Sequence, residues 1–113
     1  MAHRQKTPDP HSPMGFRLKH KKVREACTRL LKENGNRGMT SQELLDNIKK
    51  VDGKPFSQRQ ISAKAAGLSA NLKKDLRFEA DGVKVVTYLT GSKYKAVCWK
   101  LNEYGLEYVN NKY

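Results

Sequence analysis

The chain has 113 residues, with 23 Lys and Arg against 11 Asp and Glu and a formal net charge of +12. That length holds one domain whose core can stand without disulfides or metal, and it excludes a second. Charge this unbalanced gathers nucleic acid or anionic membrane, but no apolar run approaches the roughly 18 residues of a bilayer-spanning helix and no secretory stretch opens the chain, so a soluble intracellular protein without a membrane partner is expected.

Residues 1–18 hold Pro8, Pro10 and Pro13 and almost no large apolar side chains, which predicts a disordered arm. From Asp9 to Glu25 the chain gathers Arg17, Lys19, Lys21, Lys22 and Arg24 without an acid. Such an arm can follow a phosphate backbone or enter a minor groove; it can equally be a solvated leader. His3, His11 and His20 stand at no ligand spacing, and Cys27 and Cys98 lie far apart inside apolar patterns. Two buried thiols, and no metal or other cofactor, are expected.

Val23, Ala26, Cys27, Leu30 and Leu31 recur at helical spacing, and Asn34-Gly35 ends that first helix. Thr40 followed by Glu43 is a capping-box pair opening a second helix, about 41–50, with Leu44, Leu45, Ile48 and Val51 on one side. After the break at Asp52-Gly53-Lys54-Pro55, Ser57 can cap a third helix, about 57–74, with Phe56 and Ile61 as a hydrophobic staple. Ile61, Ala65, Leu68 and Leu72 line one face of it; Arg59, Ala63, Ala66, Ala70, Lys73 and Lys74 lie opposite. Small residues between cations suit a close approach to a DNA groove or to a partner helix.

Asp81-Gly82 then reads as a turn, residues 83–90 as a strand, Gly91-Ser92 as a tight hairpin turn and residues 94–101 as the returning strand. Val97, Trp99 and Leu101 share a face that should pack on the helices, leaving Thr90, Ser92, Lys93 and Lys95 at the tip. Residues 103–113 carry Leu106, Tyr108, Val109 and Tyr113, enough for a short helix or a dimer contact. Between Asp52 and Asp75, and again between Asp81 and Glu103, there are nine Lys and Arg and no carboxylate. A helix and a hairpin of one sign point to a polyanion.

Three helices followed by a two-stranded wing resemble the winged helix-turn-helix family. Thr40-Ser41-Gln42-Glu43-Leu44-Leu45 resembles the start of its second helix and Ser57-Gln58-Arg59-Gln60-Ile61-Ser62 the start of its recognition helix. Leu76-Arg77-Phe78 resembles the exit into the wing, and Val97-Cys98-Trp99-Lys100-Leu101 its closing strand. The similarity covers roughly residues 20–101 and implies an α+β winged-helix domain, residues 19–102, on double-stranded DNA. One stretch departs: Ala65-Ala66-Gly67-Leu68-Ser69 also resembles the turn of a plain helix-turn-helix, which would split the third helix at Gly67 and leave Asn71, Lys73 and Lys74 as the polar contacts. The continuous helix is the reading adopted.

The resemblance implies roles by position. Arg59 is the candidate for a guanine edge and Gln60 for adenine, Gln58 pointing toward the core side. Ser62 and Lys64 flank the exposed face, Ala63 and Ala66 allow close approach, and Lys73 and Lys74 meet phosphate. In the wing, Lys93 and Lys95 are expected on phosphate or in the minor groove, with Lys84 further from the tip, and Arg17, Lys19, Lys21 and Lys22 add phosphate contacts from the arm.

Enzyme readings lack parts: there is no nucleophile–base pattern and no Gly-rich phosphate loop, and Glu43 with Asp46 reads as capping plus a solvated face. No small-molecule substrate is expected. A small transcriptional regulator or nucleoid-associated factor is implied, in cytoplasm or nucleoid, or in a nucleus if eukaryotic, binding alone, as a homodimer or with another protein. Two alternatives stay open: a winged-helix protein-interaction module, and an RNA binder in which Tyr88, Tyr94 and Phe78 stack on bases.

Overall fold

The first helix forms where the apolar stripe predicts it. In the computed structural model, which describes residues 18–57 and 64–112, α1 spans Lys21–Glu33 and buries Val23, Ala26, Cys27 and Leu31. It ends as Asn34-Gly35 requires: Gly35 and Asn36 take φ of 69° and 58°, and the Asn36 N–H donates back to the Leu31 carbonyl at 2.6 Å. The turn has a second use. The Asn36 side chain donates to the Leu101 carbonyl at 2.9 Å and accepts from the Leu101 N–H at 2.7 Å, holding the end of a distant strand to the end of α1.

A two-residue strand, β1 (Met39–Thr40), leads into α2 (Ser41–Asn47) through the expected capping box. The Glu43 N–H donates to Thr40 Oγ1 at 3.2 Å and the Thr40 N–H to Glu43 Oε1 at 3.1 Å. α2 is shorter than the predicted 41–50 because Ile48 is already extended, and the chain then closes a turn in which the Lys50 N–H meets the Lys54 carbonyl. Leu44 and Ile48 are buried, whereas Val51, beyond the helix, is 85% exposed and leaves the apolar face it was assigned.

The third helix is corrected more deeply. α3 spans Ala65–Lys74, and Lys64 before it has φ −90° and ψ 160°, which no α-helix contains. One continuous helix from 57 to 74 is therefore not formed, and Gly67 lies within α3, so the alternative break at Gly67 is not formed either. Residues 58–63 lie outside the described residues, Arg59, Gln60, Ser62 and Ala63 among them, as do residues 1–17, including Arg17, and Tyr113. The periodicity of what remains is as predicted: Leu68 and Leu72 are fully buried, while Ala66, Ala70, Lys73 and Lys74 face water.

β2 (Phe78–Thr87) and β3 (Lys93–Leu101) form the hairpin, and β1 pairs with the other edge of β3, giving an antiparallel sheet in the order β1-β3-β2. Asp81-Gly82 is a bulge inside β2, where pairing jumps from Ala80↔Trp99 to Val83↔Val97 and Gly82 takes φ 76°. Both a turn and a bulge use the left-handed conformation, so the same dipeptide suits either. The hairpin closes through the five-residue loop 88–92 instead of a two-residue turn, with the Tyr88 N–H on the Ser92 carbonyl and the Gly91 N–H on that of Tyr88. Phe78, Trp99 and Leu101 pack on the helices; Val97 shares their face but sits partly exposed where the hairpin outruns the helical layer.

The last segment is helix α4 (Glu103–Lys112). Asn102 caps it, accepting the Gly105 N–H at 2.8 Å while donating to the Leu76 carbonyl at 2.7 Å. Val109 enters the core, and a side chain at Gly105 would run into the Arg77 carbonyl. Four helices and a three-stranded antiparallel sheet thus make up the described residues of this α+β chain. None of those helices is long and apolar enough to cross a membrane. Leu18, assigned to the disordered arm, is buried and belongs to the core.

Charges lie at the centre of this core. Asp75 accepts Arg24 Nη1 at 2.6 Å and Arg77 Nη2 at 2.8 Å on one oxygen, and the N–H and Nε of Arg77 on the other, each at 3.0 Å. Arg77 also reaches Glu25 at 2.6 Å, and Glu25 in turn accepts the Tyr108 hydroxyl at 2.8 Å. Arg24, read as part of the basic arm, is fully buried, donating to the carbonyls of Lys19 and Leu18. Asp75 is the carboxylate shared by two buried guanidiniums, so Asp75→Ala should lower unfolding free energy by about 3–5 kcal/mol in urea titration. Replacing the exposed Glu107 by Ala should change it by less than about 0.5 kcal/mol.

Candidate nucleic-acid interface

The hairpin has two unlike faces, because directly paired residues share a side. On the outer face Glu79 pairs with Lys100 and Lys84 with Ala96, and charge is matched by charge. Lys100 Nζ lies 3.8 Å from both Glu79 and Asp81, and Lys84 Nζ donates to Glu43 Oε2 at 3.0 Å. The inner face carries Trp99↔Ala80, Val97↔Val83, Lys95↔Val85 and Lys93↔Thr87. Its outer half holds only valines, a threonine and two lysines. At about 3.3 Å per residue, Lys95 and Lys93 stand roughly 13 and 20 Å beyond Trp99 along β3.

α3 borders that face. Trp99 Nε1 donates to Ser69 Oγ at 3.2 Å, and Ser69 shares a 2.6 Å hydrogen bond with Ser41. At 100° per residue, Ser69 marks one edge of an exposed arc of α3 that runs through Lys73, Ala66, Ala70 and Lys74. Asn71 marks the other edge, and its Oδ1 accepts the Lys19 N–H at 3.1 Å. The arc therefore lies between the hairpin on one side and the entry to α1 on the other. Lys93 and Lys95, then Lys73 and Lys74, then Lys19 follow in that order, with Lys21 and Lys22 exposed at the start of α1.

Seven of the described carboxylates, Glu43 among them, are engaged elsewhere. Asp75 and Glu25 are held in the core, Glu79 and Asp81 flank Lys100, Asp52 accepts the Lys54 N–H, and Asp46 accepts the Gln42 amide. Among the described residues no carboxylate forms an ion pair with Lys19, Lys21, Lys22, Lys64, Lys73, Lys74, Lys93 or Lys95.

Of the sites expected from sequence, the structure brings together Ala66, Lys73, Lys74, Lys93, Lys95 and Lys19, with Lys64 exposed just before α3. Lys84 is the exception: it is on the opposite face of the hairpin and paired with Glu43, which explains why its ammonium is held above the ordinary lysine range. Of the aromatic residues considered for base stacking, only Phe78 is buried, while Tyr88 stays 54% exposed. Phe78 is in the core, and the rings of Tyr88 and Tyr94 stack on each other at 4.3 Å. Both cysteines are buried free thiols, and burial pushes Cys27 up to about 12.

Sequence reasoning missed Asn71 as the hook for the arm, whose signal was only a polar residue at the rim of an apolar face. It also missed Leu89, which is exposed in the hairpin loop, although a leucine between two turn-forming stretches is itself unusual. A second concentration of cations, Arg29, Lys32, Lys49 and Lys50, lines a groove of about 760 Å³ between α1 and the turn after α2, and shares it with Glu33. Comparison with known proteins supplies no relative: no family model, curated protein or solved structure matches the chain.

The Glu43–Lys84 pair gives a test of the outer face. The Thr40 backbone N–H, then Lys84, hold the Glu43 carboxyl below the ordinary value of 4.5. A carboxylate depressed in the fold stabilises above its unfolded value and loses that contribution as pH falls through the folded one. Glu43→Gln keeps a capping oxygen but no charge, so its thermal midpoint should lie below that of wild type at pH 7 and converge with it as the pH is lowered through the depressed Glu43 titration.

Proposed function

We propose that this chain is a winged-helix protein that binds duplex DNA, as a small intracellular regulator or DNA-coating factor. The observation that carries this reading is the one-signed surface running from Lys93 and Lys95 across the exposed arc of α3 to Lys19, free of ion-paired carboxylates among the described residues. The order of helices and strands, with β1 on the far edge of β3, supports the winged-helix assignment.

In this reading Ala66 and Ala70 let the α3 backbone approach a major groove while Lys73 and Lys74 take phosphates at its end. Lys93 and Lys95 take phosphates from the wing, and Lys19, Lys21 and Lys22 from the opposite flank. The base-reading roles of Arg59 and Gln60 rest on sequence position. Lys84 is withdrawn from the contact set by its pairing with Glu43.

Binding should therefore be strongly electrostatic. With these seven phosphate contacts, affinity for a random duplex should fall by about 6,000-fold between 50 and 200 mM salt. Lys93→Ala/Lys95→Ala should weaken all sequences alike and reduce the logarithmic salt slope by about two. Arg59→Ala should relax sequence preference while leaving most of that slope. A chain that shifts no duplex at low salt would not be a DNA-binding protein.

A further inference from the structure

The hairpin loop holds an aliphatic side chain with water on every side: Leu89 is 109% exposed. Single surface leucines are ordinary, but this one lies beyond an apolar track on the inner face, separated from it by the Thr87–Lys93 pair. Val83 and Val85 are 61% and 59% exposed, and with Val97 they line the inner face between the loop and Trp99. The loop beneath Leu89 is braced. Its two backbone hydrogen bonds close residues 88–92, and Tyr88 stacks on Tyr94 behind it. Lys93 and Lys95 flank the track, with no ion-paired carboxylate among the described residues.

An apolar point on a stiff base with cations set behind it matches one surface in particular. At an opened base step, apolar base faces are exposed between two anionic strands, and proteins that kink DNA insert aliphatic side chains there. An uncharged protein groove would match the leucine and valines but leave both lysines unanswered.

Resting on the duplex reading above, we infer that Leu89 is a wedge. The hairpin lies along a minor groove, Lys93 and Lys95 meet the phosphates on its rims, the valines lie against sugars, and Leu89 enters a base step, unstacks it and bends the duplex. Pyrimidine–purine steps such as TA open most readily and are the favoured target. The lysines alone would hold a straight duplex equally well; bending is what Leu89 adds.

The test uses the full chain and a duplex of about 20 base pairs, labelled at both ends for energy transfer and carrying 2-aminopurine at a central TA step. Wild type should shorten the end-to-end distance and raise 2-aminopurine emission, and should prefer a centrally mismatched duplex by about tenfold, since part of the unstacking is already done there. Leu89→Ala removes only exposed atoms, so the fold is kept; it should bind with the same salt slope, leave both signals at their free-duplex values and lose the mismatch preference. Leu89→Phe should restore bending. A duplex that stays straight with wild type, or bends equally with Leu89→Ala, would overturn the wedge while leaving DNA binding intact. Absence of salt-sensitive binding would overturn both readings. Leu89-dependent sedimentation with phosphatidylserine vesicles, with the duplex unbent, would assign the tip to lipid instead.

Discussion

α1, α3, α4 and the start of β2 are referenced to one buried ionic cluster. Asp75 sits at the exit of α3, Arg77 two residues on at the entry to β2, and Arg24 and Glu25 on α1. Tyr108 adds α4, and the two carbonyls held by Arg24 add the segment that enters α1. Two guanidiniums and two carboxylates balance, so the cluster is near neutral, and its oxygens are filled by directed hydrogen bonds. Hydrophobic packing alone would bring these segments together, but it is weakly directional. The cluster adds direction: with Asp75 and Arg77 fixed, the angle at which α3 hands over to the hairpin is fixed too. That angle is what sets the α3 arc beside the inner face of the hairpin.

The same cluster shapes the surface. It takes two of the chain's 11 acids inside, and the outer face of the sheet occupies three more around Lys100 and Lys84. A chain with more than twice as many cations as anions could have spread its excess evenly. Pairing these five acids on one side of the sheet and in the core leaves Lys93 and Lys95 on the other side without them. Sidedness thus comes from where the carboxylates go, more than from where the lysines are.

What was legible in the sequence was local. The α1 stripe, the Asn34-Gly35 stop and the Thr40–Glu43 box each depend on residues within one or two turns, and each formed as expected. Asp81-Gly82 gave the right backbone conformation and the wrong topology, because a positive φ serves a bulge as well as a turn. Arg24 and Arg77 were illegible for another reason. Buried arginine looks like surface arginine until its partner is known, and Arg24 meets Asp75 from 51 positions away. Val97 and Lys84 show the limit of periodicity: alternation assigned Val97 to the right face, but only the lengths of helix and hairpin decide where that face leaves the core, and only the register decides that Lys84 opposes Glu43.

Concentrating like charge has a thermodynamic consequence that the core arrangement makes tolerable. Lys19, Lys73, Lys74, Lys93 and Lys95 repel one another through water, where mobile ions screen charge over about 8–10 Å. The Arg24–Asp75–Arg77–Glu25 cluster excludes those ions, so its attraction is little affected by salt. Salt therefore eases the repulsion without loosening the contacts that fix the geometry, and the free fold gains stability as ionic strength rises. In the proposed duplex complex salt acts oppositely, since it removes the entropy gained when counterions leave a polyanion. On that proposal a bound duplex and added salt are alternative neutralisers of one surface. The fold can afford that surface because its orientation is set by charges that neither of them reaches.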